Sequence, residues 1–149
     1  MIRLTKFNVQ VVKESSKSYN FDGKKINEPQ VAFEMIEAVL KLSTATQEIF
    51  GMLTMDAQKN VTGIFEITKG ILNSSLVHTR EVFQRAILQN ADSILIFHNH
   101  PSGDTKPSRA DISVTNMLVD ASKIIGISII DHIIIGDETY RSLSTEGYL

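Results

Sequence analysis

The sequence predicts an α/β fold, a single mixed β-sheet with helices packed on its faces, and three observations predict it. Short apolar runs of strand length interleave along the chain with segments of helical period, the order that gives a sheet with covering helices. The stretches 93–97 and 127–135 are nearly continuous apolar runs and read as buried strands. A length of 149 residues with 42% hydrophobic content suits one domain, residues 1–149, with a real core. No internal repeat or low-complexity segment interrupts it.

Taken in order, Met1–Val12 alternates apolar and polar residues, which predicts a first strand. A polar loop follows over 14–27 and contains the turn pair Asp22-Gly23. Pro29 at a first helical turn, with Asn27 as cap, opens a helix carrying Val31, Phe33, Ile36, Val39 and Leu40. Residues 47–55 and 61–68 read as a hairpin around the turn 56–60. Thr79 is expected to cap a helix with Val82, Phe83, Ala86 and Ile87 on one face. The strand at 93–100 leads through a loop to a helix from Ser108 that stops at Gly126. Strands at 127–135 and 139–143 complete the chain.

His98-Asn-His100-Pro, with Ser108 and Asp111 following, carries the chemistry. In a strand running through His100, side chains 98 and 100 point to one face and their imidazoles converge. Asp111 falls in the first turn of the next helix, where a carboxylate stays ionised. Pro101, Ser102, Gly103 and Pro107 make the intervening loop fold back and return Asp111 to the histidines. Two imidazoles and a carboxylate form the ligand set of a catalytic zinc site with one position open to water. A His-x-His pair alone is often surface decoration, and Ser108-x-x-Asp111 alone is a capping-box pattern. The combination is far more specific than either half.

Composition excludes several classes. No run approaches the length of a membrane span, and the N-terminal alternation is not a secretory apolar segment. The chain contains no cysteine, hence no disulfide, thiolate ligand or cysteine nucleophile, and a cytoplasmic setting is expected. A formal charge of −2 and a pI near 6.1 give no global attraction to nucleic acid or to an anionic membrane. Lys13, Lys17, Lys24 and Lys25 read as a solvated loop and not as a phosphate track.

A zinc hydrolase also needs a general base, and spacing does not choose among Glu34, Glu37, Glu48, Glu66 and Glu81. His98-x-His100-Pro followed by Ser108-x-x-Asp111 resembles the signature of the JAMM (MPN+) metallopeptidases. The wording HNHPSGD, the segment 74–83 and Asp131-His-Ile-Ile-Ile-Gly136 resemble the RadC branch of that family. The likeness runs from about Gln47 to the C-terminus, so residues 46–149 form the motif-bearing core and 1–45 a divergent N-terminal part. Longer RadC proteins begin with a helix-hairpin-helix segment that this chain is expected to lack. Val77-His-Thr79 departs from the His-Pro usual in that branch.

What the resemblance implies is a JAB/MPN domain of three layers, similar to the cytidine deaminases, holding one Zn²⁺ per chain on His98, His100 and Asp111. It selects Glu48 as catalytic acid/base, since Gln47-Glu48-Ile-Phe-Gly-Met-Leu matches the strand opening of the family's glutamate. It makes Ser108 the hydroxyl that assists the oxyanion. His78 and His132 stay outside the metal set, His132 as a core histidine; Asn99 should face away from the metal and Ser102 toward the substrate cleft. The implied function is zinc-dependent hydrolysis of an amide bond in a peptide or protein substrate. Another class, a DNA-repair or replication accessory with a structural or vestigial metal, is the alternative. The acidic charge and the expected lack of a helix-hairpin-helix speak against direct DNA binding. A non-haem iron oxygenase fits poorly because a helix follows the ligands at once, and a zinc deaminase would need cysteines.

Overall fold

The five strands form one mixed sheet in the order β2-β1-β3-β4-β5. In the computed structural model, residues 1–21, 25–70 and 77–149 are described. The elements are α1 (Pro29–Leu40), a 3₁₀ turn (Leu42–Thr44), β1 (Glu48–Met55), β2 (Val61–Gly70), α2 (Thr79–Leu88), β3 (Ser93–Asn99), α3 (Arg109–Ile125), β4 (Ser128–Ile135) and β5 (Tyr140–Ser142). Among the described strands only β3 and β4 run parallel, joined by the α3 crossover that parallel pairing requires. The remaining neighbours are antiparallel.

Strand alternation sorts the core into two layers. Ile49, Leu53, Leu95, Phe97, Ile133 and Ile135 pack with Ala32, Met35 and Ile36 of α1. Phe50, Met52, Ile94 and Ile96 pack with Val82, Phe83 and Ala86 of α2 and with Val114 and Leu118 of α3. The result is α1, sheet, then α2 and α3. β3 lies in the middle, all seven of its residues buried, so whatever stands at its end is carried by a fully buried central strand.

The strand expected at 1–12 does not form. Residues 1–21 carry no regular secondary structure, and Ile2, Leu4, Phe7 and Val12 are exposed. Alternation makes a two-faced segment, but a strand also needs a ladder partner, and none is found among the described residues. The Asp22-Gly23 turn lies outside the described residues. The helix starts also shift. Pro29 is the first residue of α1 as expected, but Glu28 and not Asn27 holds the cap position. Thr79 is already helical; His78 is the cap residue, its carbonyl accepting from the Glu81 and Val82 N–H groups at 3.0 and 3.3 Å. α3 begins and ends as expected, at Ser108 and at Gly126, whose φ of 81° stops the helix.

Asp131, at the position where β4 slips register against β3, fixes the last strand. Its Oδ1 accepts from the N–H groups of His132 (2.7 Å) and Ser144 (3.0 Å), and its Oδ2 from the Ser142 hydroxyl (2.6 Å). Burial pushes the carboxyl above its usual range, against the pull of these three donors. Asp131→Ala should therefore destabilise the fold by about 1–3 kcal/mol for each buried donor left without an acceptor. Asp131→Asn keeps an acceptor for both backbone groups and should lose much less. Denaturant unfolding of the two variants checks this; equal losses would show that the bonds contribute little.

Candidate metal centre

The candidate centre lies where β3 and β4 end together, the place where open α/β sheets bind their ligands. Phe50 faces His98 across the β1–β3 ladder, so Glu48, two residues before Phe50, falls on the same face as His98. Asn99 turns to the opposite face, as expected. There its Oδ1 accepts from the Ile49 N–H at 2.7 Å, and its Nδ2 donates to the Gln47 carbonyl at 3.0 Å. The middle residue of His98-Asn-His100 thus clamps the backbone on both sides of Glu48.

His100 stands one residue beyond β3, still tied to β4 through its N–H on the Ile135 carbonyl at 2.8 Å. The loop after it packs so closely on Gly136 that a Cβ there would lie 2.2 Å from the Gly103 carbonyl oxygen. Only glycine allows this approach. The loop brings the Asp104 carbonyl within 2.7 Å of His100 Nδ1. A carbonyl only accepts, so Nδ1 carries a proton, and the neutral ring keeps its lone pair on Nε2.

The chain then returns at Ser108, where a capping box starts α3: Ser108 Oγ accepts from the Asp111 N–H at 3.1 Å, and Asp111 Oδ2 accepts from the Ser108 N–H at 2.6 Å. The same carboxylate reaches the histidines, with Oδ1 3.1 Å from His98 Nε2 and Oδ2 3.2 Å from His100 Nε2. The two Nε2 atoms are 2.9 Å apart. Glu48 Oε1 stands further out, 4.0 Å from His98 Nε2. Ligand atoms from Glu48, His98, His100 and Asp111 all lie within 4.8 Å of one another, a group that can hold a metal ion.

The donor set fits such an ion. Nitrogen and oxygen ligands each about 2.0–2.1 Å from one zinc must sit a little over 3 Å apart. Both histidine–Asp111 contacts do, at 3.1 and 3.2 Å, the two Nε2 atoms stand slightly closer at 2.9 Å, and Glu48 is set back. Burial pushes the Asp111 carboxyl up, but the His100 and His98 imidazoles and the Ser108 N–H outweigh it and hold the group well below the usual carboxylate range. Asp111 raises His100 above its ordinary value against a smaller opposing effect of burial.

The remaining sequence candidates separate cleanly. Ser108 is exposed at the cap and touches Asp111. Ser102 is exposed on the loop after His100. His78 caps α2 through its backbone, without a side-chain capping bond. His132 lies outside the cluster in a fully buried position, and burial pushes its imidazole well below the usual histidine range. It is nevertheless a neighbour of the centre: its Nε2 is 2.8 Å from His98 Nδ1 and its Nδ1 2.6 Å from Thr115 Oγ1. Sequence reading had no reason to single out Thr115. The available signal was its position one turn after Asp111, on the same helix face.

The family model described as the RadC-like JAB domain matches residues 26–148, reaching back over α1 and beyond the motif-bearing part. A UPF0758 protein of Desulfitobacterium hafniense is 46% identical over 125 residues, 83% of this chain and 54% of the relative. A UPF0758 protein of Clostridium acetobutylicum is 42% identical over 130 residues, 87% of this chain and 56% of the relative. One from Methanococcoides burtonii is 50% identical over 97 residues, 65% of this chain and 42% of the relative. The chain thus spans about half the length of the curated relatives it matches. With a family match over nearly the whole of the described sheet and helices, the chain belongs to the family of RadC-like JAB domains.

Proposed function

We propose that this chain is a zinc-dependent peptidase or isopeptidase that hydrolyses an amide bond in a peptide or protein substrate. The observation that carries the reading is the convergence of His98 Nε2, His100 Nε2 and the Asp111 carboxylate, with Glu48 set just outside them. His98, His100 and Asp111 would hold one zinc. When bound, zinc supplies a Lewis acid that polarises a carbonyl and lowers the pKa of a coordinated water to about 7.

The protein's own groups do the rest. Glu48, on a strand end clamped by Asn99, accepts a proton from the attacking water and delivers it to the leaving nitrogen. Ser108 Oγ already accepts one bond, from the Asp111 N–H, and keeps its own proton to donate to the developing oxyanion. Exposure of Ser108 and Ser102 beside the buried ligands gives a substrate a side from which to approach. A chain without cysteine supports a cytoplasmic setting. No helix among the described residues is long and apolar enough to cross a membrane. The alternative as a DNA accessory gains no support from a formal charge of −2.

Protein purified without chelators should carry about one zinc per chain, and His98→Ala or Asp111→Ala should empty the site. Zinc must compete with a proton on His100, which the Asp111 carboxylate beside it holds above the ordinary histidine range. Uptake should therefore weaken as pH falls through that raised range, where the ring takes up its second proton. Elemental analysis showing equal metal in wild type and both variants would contradict the ligand set.

Glu48→Gln keeps the shape of the side chain but cannot take a proton. It should retain zinc and fold while slowing turnover by about 10²–10⁴; a variant as fast as wild type would place the base elsewhere. A pull-down with the same variant would identify the substrate.

Ser108→Ala should cost about 0.5–2 kcal/mol of stability as a lost cap, and roughly 10²–10³ in turnover as a lost oxyanion donor. Zinc occupancy is measured alongside, because Asp111 shares the cap. Ser108→Asn should restore stability without restoring rate. Full activity of the alanine variant at full zinc occupancy would reduce Ser108 to a cap.

A further inference from the structure

A chain of short polar contacts runs from the backbone of α3 through two buried imidazoles to the centre. Thr115 Oγ1 lies 2.7 Å from the Asp111 carbonyl oxygen and 2.6 Å from His132 Nδ1. His132 Nε2 lies 2.8 Å from His98 Nδ1, and His98 Nε2 faces His100 and Asp111. Each of Thr115, His132 and His98 is at most 1% exposed, so bulk solvent does not reach them.

The direction of these bonds follows from what each atom can do. The Asp111 carbonyl only accepts, so the Thr115 proton goes to it. Thr115 then meets His132 with a lone pair, and His132 Nδ1 must donate. His132 is fully buried with its ring edge-on to Phe50 at 6.1 Å, so a second proton on this ring would place a charge away from water. His132 Nε2 is therefore bare and accepts from His98 Nδ1–H. That leaves His98 Nε2 as the lone-pair nitrogen on the metal side. Reversing every bond would strand the Thr115 oxygen and the Asp111 carbonyl 2.7 Å apart without a proton between them.

We propose that Thr115 and His132 are positioning residues that lock the His98 tautomer, so that its Nε2 is presented as a metal ligand. The proposal deepens the reading of this chain as a metal enzyme and rests on it. It gives His98 the counterpart of what the Asp104 carbonyl gives His100: one ring nitrogen protonated by a fixed acceptor, the other free to ligate. Because Thr115 sits one turn after Asp111 on the same helix, α3 supplies one ligand directly and sets the chemistry of another through His132.

The test uses the full chain, with Thr115→Val removing the hydroxyl at constant shape and Thr115→Ser restoring it. Zinc affinity is measured by competition with a chromophoric chelator, and ring protonation by ¹⁵N–¹H correlation spectra of the histidines, metal-free and zinc-loaded. Expected are His132 protonated at Nδ1 and bare at Nε2 in both wild-type forms, a ten- to hundredfold weaker zinc affinity in Thr115→Val, and recovery in Thr115→Ser. Unfolding of the metal-free variants separates a loss of stability from a loss of affinity. A His132 proton on Nε2 in wild type, or a valine variant that binds zinc as tightly as wild type, overturns the proposal. If wild type takes up no zinc, the metal reading fails by itself, and the His132 protonation pattern in the metal-free chain still decides the relay.

Discussion

The arrangement depends on the Asp111 carboxylate, which belongs to two structures at once. Its Oδ2 closes the capping box that starts α3, and its two oxygens reach the His98 and His100 imidazoles at the end of β3. A buried carboxylate is costly unless it is bonded, and here the N-terminus of a 17-residue helix and two histidines share that cost. The same bonds keep it ionised. Helix start, loop closure and ligand charge are therefore one constraint, and the five-stranded sheet supplies the fixed frame in which it can be met.

That frame leaves the inner groups little freedom. His98 is carried by the central, fully buried strand. His100 is held from both sides, by the Ile135 carbonyl through its backbone and by the Asp104 carbonyl through its ring. Glu48 has its flanking backbone clamped by Asn99. The three inner side chains are thereby held together as ligands that need little rearrangement, the usual logic of a preorganised site. Groups proposed to touch substrate, Ser108 and Ser102, lie instead on the exposed side of the loop.

The sheet, its helices and the meeting of His98, His100 and Asp111 were legible in the sequence because their signals are local. A strand end, a turn-rich loop and a capping box each announce themselves within a few residues. Glu48 was not legible from spacing, since four other glutamates competed with it, and it was picked out by resemblance alone. The segment 1–12 shows the opposite failure. Its alternation is clear, yet Ile2, Leu4 and Phe7 are exposed, because pairing depends on a partner strand that alternation cannot name. His132 was rightly read as a core histidine, but its contact with His98 was invisible. It requires the parallel register that sets Ile96 beside His132 and His98 beside Ile134, and a helix crossing that adds Thr115. Three segments distant in sequence had to meet before that role existed.

X-ray absorption at the zinc edge of wild-type protein loaded with one equivalent of zinc tests the central claim most directly, because it reads the ligand set without needing a substrate. The account predicts two imidazole nitrogens per zinc, the remaining ligands oxygen and none sulfur, with one imidazole lost in His98→Ala. A spectrum without imidazole scattering, or one unchanged by His98→Ala, would contradict it.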